Sequence, residues 1–429
     1  MGLTDLFEET LNYTATLDPN IPPVPQTISV FETNIRWVGG LLSAYELSGK
    51  QHPILVTKAK EFADKLAFAW VGDNVLPYNT MNFTINAPEI GTAIMQTNIA
   101  QIGTLDLEWA VLSKYTGNAT YGKLTEDAVL YVAGLVSRLS WFNTGLAPQV
   151  IDPSTGQFDD AYIVSSDSYF EYLVKFARYT NNENPIFLDT WATAVDSSIH
   201  TLLKTTTVGD FSYLADQDDQ GLIRHVGSHL ACFLAGNWLL GGQLLQNKTI
   251  VDTALLLNDG TGIGPEDFAY ISSDGNFTGG DPITPEQLAF YDRHGFYITT
   301  SDYIQRPEVL ESNFYAWRVT GDTKYLDRAL SAIASFNKWL PATVAFASLN
   351  DVNNFADGGF IDIMESFWYL TLDDPTHISL DTHVWNTECH PLEAPPALDK
   401  YTANLIPQKS FTPHITNQPR PAVSPIPQL

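Results

Sequence analysis

The sequence predicts an all-α protein in which paired helices close into a toroid, and three observations predict it. Apolar residues recur at helical spacing along most of the chain. Helix-ending residues recur at a period of about 65–70 residues, enough for two helices and their connections. Alternating, strand-like segments are few and short. With 429 residues, 44% hydrophobic and 12% aromatic, the chain can bury a large core, which excludes disorder for most of its length.

The elements follow in order. From Phe31, the apolar positions Phe31, Ile35, Val38, Leu42 and Tyr45 lie on one face of a helix. Ile102, Leu105, Trp109 and Leu112 repeat the pattern, as do Tyr169, Tyr172, Leu173 and Phe176, and then Leu326, Leu330, Ile333, Phe336 and Leu340. Gly49, Gly117, Asn181 and Gly321 each stand just past a last apolar turn, where a residue tolerant of positive φ ends a helix. They are 68, 64 and 140 residues apart, and Gln246-Asn247 falls near the midpoint of the long interval. Repeated helical hairpins of this size predict an inner and an outer ring in one domain over 1–390. Residues 391–429 hold nine prolines and are expected to form an extended tail.

A formal charge of -27 excludes nucleic acid as a natural partner and disfavours an anionic membrane face. No stretch approaches the roughly 18 apolar residues of a membrane span, and the first residues lack the pattern of a secretory leader. Cys232 and Cys389 allow at most one internal disulfide. Five Asn-x-Ser/Thr triplets, at Asn12, Asn82, Asn118, Asn247 and Asn276, point toward the secretory route.

Glu32, Asp167, Glu308, Glu311 and Glu365 each lie near the start of a helical stripe. Helix N-termini favour carboxylates on electrostatic grounds alone. In a toroid, however, the N-termini of inner helices open at one end, so these carboxylates would converge on one pocket. Paired carboxylates beside arginine and aromatic residues suit glycoside hydrolysis, one protonating the leaving oxygen and another activating water. His225 and His229 have the spacing of a zinc pair, but Val226 stands where a zinc-protease helix carries glutamate. Asp216-Gln-Asp-Asp-Gln-Gly221 reads as a solvated acidic loop, and Cys389 beside His390 as a bystander thiol.

The segments 31–45 (Phe-Glu-Thr-Asn-Ile-Arg-x-x-Gly-Gly-Leu-Leu-Ser-Ala-Tyr), 167–173 (Asp-Ser-Tyr-Phe-Glu-Tyr-Leu), 229–233 (His-Leu-Ala-Cys-Phe), 306–312 (Arg-Pro-Glu-Val-Leu-Glu-Ser), 365–368 (Glu-Ser-Phe-Trp) and 386–391 (Asn-Thr-Glu-Cys-His-Pro) closely resemble class I α-1,2-mannosidases, glycoside hydrolase family 47, above all secreted fungal members. The resemblance implies an (αα)7 barrel, bound Ca2+ and inverting hydrolysis of α-1,2-linked mannose from high-mannose N-glycans by a monomer in the secretory pathway or outside the cell. By position, Glu32 matches the general acid, Glu308 the general base and Asp167 a third carboxylate. Thr387 matches the calcium ligand. Arg36, Glu108, His229, Arg306, Glu311, Glu365 and Glu388 match pocket positions that bind sugar hydroxyls or their waters. Ser165 stands where endoplasmic-reticulum members carry an arginine that restricts trimming, which implies successive removal of α-1,2-mannoses.

The resemblance also shows departures. Family members carry an Asp-Ser-Leu-Asp-Thr motif upstream of the Met-Gly-Leu with which this chain begins, so the first hairpin is expected to be incomplete. The family's disulfide partner for Cys232 is missing, and the helix after Trp368 is expected to be short. These losses keep a second function class in play, a glycan-binding relative without turnover.

Overall fold

The computed structural model describes residues 3–21, 27–90, 97–139, 145–163, 168–218, 220–258, 263–280, 282–341, 346–354 and 374–407. Helix α1 (Thr4–Thr16) packs against α4 (Pro53–Leu66). Helix α2 (Val30–Glu32) begins at Ser29, whose hydroxyl accepts from the Glu32 N–H, and runs through a π-helical segment (Thr33–Val38) into α3 (Gly39–Leu47). Next come α5 (Ile99–Gly103), α6 (Asp106–Thr116), α7 (Thr120–Val136), α8 (Ser168–Tyr179), α9 (Pro185–Thr201), α10 (Phe233–Leu244) and α11 (Lys248–Leu257). Helices α12 (Pro285–His294), α13 (Glu308–Thr320) and α14 (Lys324–Trp339) complete the described set.

Antiparallel pairs α3/α4, α6/α7, α8/α9, α10/α11 and α13/α14 follow one another, and the first member of each touches the first member of the next. Those first members form the inner ring. In the inner ring, Tyr169 to Arg178 of α8 and Phe233 to Gly242 of α10 are buried without a break. On α14, by contrast, only Tyr325, Ala329, Ala332 and Phe336 are buried. A helix surrounded on all sides has no solvent face to keep polar, whereas an outer helix buries a stripe. The expected stripe on α14 is therefore turned by about one residue, and Leu330 is exposed. The 102–112 stripe is likewise divided, since α5 ends at Gly103 and α6 starts at Asp106, yet all four of its residues are buried.

The turns from inner to outer helices repeat as expected. Gly49, Gly117, Asn181, Gln246 and Gly321 all have positive φ.

Short antiparallel sheets line the other end of the ring. One has five strands, ordered Ile223–Arg224, Asp216–Asp218, Phe158–Ile163, Pro148–Ile151 and Thr97–Asn98, and another joins Val226–Ser228, Asp267–Ala269 and Tyr297–Thr300. The stretch read as a solvated acidic loop thus contains a sheet strand, with Asp216 turned to the cavity described below. A hairpin pairs His383–Trp385 with Pro391–Glu393. The extended run expected from residue 391 does not stand clear of the barrel. Its Leu392 and Tyr401 are buried, and it crosses the ends of α8 and α10: Arg178 donates to the Pro395 carbonyl, and the Tyr401 N–H donates to the Leu244 carbonyl. That crossing closes the end of the ring where α8 and α10 finish.

Candidate active site

The N-terminal ends of inner helices open into a cavity of about 1060 Å³. Glu32 and Arg36 reach it from α2 and the π-helical turn, Glu171 from the first turn of α8, and Glu308 and Glu311 from the first turn of α13. Thr387 and Glu388 enter from the loop of the 383–393 hairpin. Phe31 and Phe233 add aromatic surface, and Asp216, Arg224 and Asp267 come from the sheets.

Charged groups are paired across elements. Arg36 links two carboxylates, its Nε 2.7 Å from Glu32 and its Nη1 2.8 Å from Glu388. Burial pushes the Glu388 carboxyl up to about 7 against the pull of Arg36, and Glu32, Glu308 and Glu171 add to the rise. Arg306 donates through Nε to both oxygens of Glu266 at 2.7 and 2.6 Å, and its Nη1 lies 4.0 Å from Glu308. His229 places Nδ1 3.2 Å from Glu308 Oε2, while its buried Nε2 has no hydrogen-bond partner among the described residues. Beneath the cavity, Lys175 contacts Glu171 one helical turn away and sits 3.5 Å from Glu311.

The loop bearing Thr387 is held from below. Asn386 Nδ2 donates to the Ile35 carbonyl (2.9 Å) and to Glu108 (2.8 Å), and its Oδ1 accepts from the N–H groups of Glu388 and His390. The Thr387 N–H donates to the Tyr172 hydroxyl, which donates to Glu108 at 2.7 Å. Gly39 makes this approach feasible, since a Cβ there would lie 2.5 Å from Asn386 Nδ2. His390 donates from Nδ1 to the Ile35 carbonyl, and burial pushes it down to about 4. Cys389 beside it is a buried thiol that forms no disulfide with Cys232, and both residues support the loop.

Of the residues expected from the sequence, Glu32, Glu308, Arg36, Arg306, Glu311, Glu388 and Thr387 line one cavity. Asp167, Glu365, Ser165 and the helix after Trp368 lie outside the described residues. Glu108 does not reach the cavity. It is fully buried and accepts from Asn34, Tyr172 and Asn386, because the first turn of α6 points it at neighbouring helices rather than along the axis. His229 is 4% exposed and meets the cavity through Glu308.

Sequence reasoning missed Glu171, Lys175 and Glu266. A lysine amid the apolar positions of α8, four residues after a glutamate, was the available signal for the first two. His225 and His229 turn to different carboxylates, Asp274 and Glu308. Among the described residues no three His, Cys, Asp or Glu side chains gather as a metal site.

A different donor set remains for a hard cation. The hydroxyl and carbonyl oxygens of Thr387 carry no hydrogen bond from the described residues, and they share the cavity with Glu171, Glu308, Glu311 and Glu388. Uncommitted oxygens among crowded carboxylates fit calcium better than a soft or tetrahedral ion.

Comparison with known proteins agrees with the geometry. The family model described as Glycosyl hydrolase family 47 matches residues 1–394. A mannosyl-oligosaccharide alpha-1,2-mannosidase 1B of Aspergillus phoenicis is 34% identical over 403 residues, spanning 85% of this chain and 76% of that protein. The solved structure of an alpha-1,2-mannosidase from Trichoderma reesei superposes with a TM-score of 0.83 at 32% identity, covering 91% of this chain and 87% of that one. A sugar epimerase from a ruminal bacterium, with a TM-score of 0.54 and 11% identity, shares the helical toroid alone.

Proposed function

The chain belongs to glycosyl hydrolase family 47, and from that premise we propose that its cavity removes α-1,2-linked mannose from high-mannose N-glycans with inversion at the anomeric carbon. The observation that carries this reading is the convergence of Glu32 and Glu308, from helices far apart in the chain, on one cavity that also holds Thr387. Glu308 is the general base. It takes a proton from water as the oxygen attacks the anomeric carbon, with His229 on one carboxylate oxygen and Arg306 near the other to hold its orientation. Glu32 is the general acid that delivers a proton toward the glycosidic oxygen through a water, and Arg36 fixes its carboxyl. Asp167 is the third carboxylate of the set. Glu311, Glu388 and Glu365 bind sugar hydroxyls or their waters.

Calcium would be held by the oxygens of Thr387 with waters and sugar hydroxyls, and when bound it orients the mannose ring and favours its distortion. Glu108 is a positioning residue for Thr387, through Tyr172 and Asn386.

The test is mannose release from a high-mannose glycan. Glu308→Gln should lower kcat by about 10² or more and leave KM nearly unchanged, since the amide keeps the size but cannot take the proton. Chelation should abolish release and lower the melting temperature, and added calcium should restore both. Full turnover by Glu308→Gln would overturn the assignment of the base, and full turnover after verified removal of calcium would overturn the role of Thr387.

A further inference from the structure

The hydrolytic mechanism uses none of the five Asn-x-Ser/Thr triplets, and the fold separates them. Asn276 is 4% exposed, and its triplet runs into the cavity wall through Thr278. Asn82 is half-buried, with Oδ1 accepting from the Thr84 N–H and Nδ2 beside Glu89. Asn12 lies in the middle of α1 with its Thr14 buried.

Asn118 and Asn247 differ from these three. Each directly follows a positive-φ residue, Gly117 or Gln246, in a turn from an inner to an outer helix. Both asparagines are exposed, as are their partners Thr120 and Thr249. In each only Oδ1 is engaged: Asn118 accepts from the Thr120 N–H at 3.1 Å, and Asn247 from the Thr249 and Ile250 N–H groups at 3.1 and 3.3 Å. Nδ2, the atom that a glycan modifies, makes no hydrogen bond to the described residues.

Their place in the ring is shared as well. Phe233 puts the N-terminus of α10 at the cavity, so the turn after α10 stands at the other end, about 18 Å along the helix axis, and the turn after α6 lies beside the chain that leaves the 383–393 hairpin, where Lys114 donates to the Glu393 carbonyl. This is the end crossed by residues 395–401, where Gln246 donates to the Asp399 carbonyl.

We propose that Asn118 and Asn247 are N-glycosylation sites whose glycans project from the end of the toroid opposite the cavity, while Asn276 stays unmodified. The donor class is a lipid-linked oligosaccharyl diphosphate of the endoplasmic reticulum. The anomeric carbon–oxygen bond to the diphosphate breaks, a bond from that carbon to Nδ2 forms, the amide releases one proton and the lipid diphosphate leaves. A glycan at Asn276 would have to replace packed protein beside the cavity wall, whereas one at either turn meets solvent.

The test is to direct the full chain into the secretory pathway of a eukaryotic host and map glycopeptides of the folded, secreted product by mass spectrometry, before and after enzymatic release of N-glycans. Thr120→Ala and Thr249→Ala destroy the triplets but keep the asparagines that cap the following turns, so folding is preserved. Each should remove one glycan-sized step in mass, and the double variant should remove two. Peptides containing Asn276 should carry no glycan. Mannose release by the variants should stay within about twofold of the parent, because neither turn lies at the cavity. An unmodified Asn118 or Asn247, or an occupied Asn276, would overturn the proposal. A secreted parent that carries both glycans but releases no mannose would count against the hydrolytic reading alone.

Discussion

Lys175 offers a direct measure of how the site stores charge. Its ammonium lies between Glu171 and Glu311, and the three side chains are 1%, 2% and 6% exposed. Burial alone would lower the lysine, but Glu171, Tyr315 and Glu311 outweigh it and hold it above its ordinary value. Glu311 is raised well above the usual carboxylate range by burial, and Lys175 opposes that rise. Lys175→Met keeps much of the stem and removes the charge, which leaves two carboxyl groups in a water-poor site. Breaking a buried pair in this way costs about 3–5 kcal/mol. With an unfolding entropy of about 2.1 cal/mol/K per residue, 429 residues give about 0.9 kcal/mol/K, so Tm at pH 7 should fall by about 3–6 °C. The sign of the pH dependence is determined. Between pH 4 and 7 Lys175 is charged in both folded and unfolded states, so only the carboxyls respond. Without the lysine, the folded pKa of Glu311 rises further above the unfolded one. The penalty is absent below the unfolded value and grows as pH climbs toward the folded one. The Tm gap between parent and variant, read by calorimetry, should therefore be small near pH 4 and full at pH 7. Adding Glu171→Gln to Lys175→Met should recover a large part of the loss at pH 7. An equal gap at both pH values would refute the electrostatic account.

Other outcomes test the surrounding scaffold. Both carboxylate oxygens of Asp106 are buried, and burial, with Glu108 beside it, outweighs the backbone N–H groups of its own helix start and raises its pKa well above the ordinary value. A raised carboxyl costs stability as pH rises from the unfolded toward the folded value, so Asp106→Asn should gain Tm relative to the parent between pH 4 and 7, by about 1.4 kcal/mol for each tenfold by which folding tightens the carboxyl's hold on its proton; a constant difference would refute this. Gly39→Ala should cost about 1–3 kcal/mol and weaken calcium binding, because its Cβ meets Asn386 Nδ2, whereas Gly40→Ala, 3.3 Å from His390 Nε2, should be milder in both melting and calcium titration. Unchanged calcium affinity in Gly39→Ala would separate the Asn386 anchor from Thr387.

Local chemistry made the helical ring legible in the sequence. Spacing along one helix and the positive-φ residues that end it depend on neighbours within a few positions, which is why the turns at Gly49, Gly117, Asn181, Gln246 and Gly321 could be read in advance. The carboxylates of Glu32 and Glu308 could be placed because both stand at helix starts, and their ordered motifs named the family. Which residues face the cavity was decided by the tertiary structure. Glu108 and Glu311 both lie in first turns, yet Glu108 is closed off by Asn34, Tyr172 and Asn386, the last of these 278 residues away. Likewise α8 is buried on every side, so periodicity could not distinguish Glu171, which lines the cavity, from Lys175 beneath it. A repeat along the chain reports which residues leave water. Direction toward the axis depends on how each helix rotates against two neighbours, and that rotation is set by contacts between segments remote in sequence.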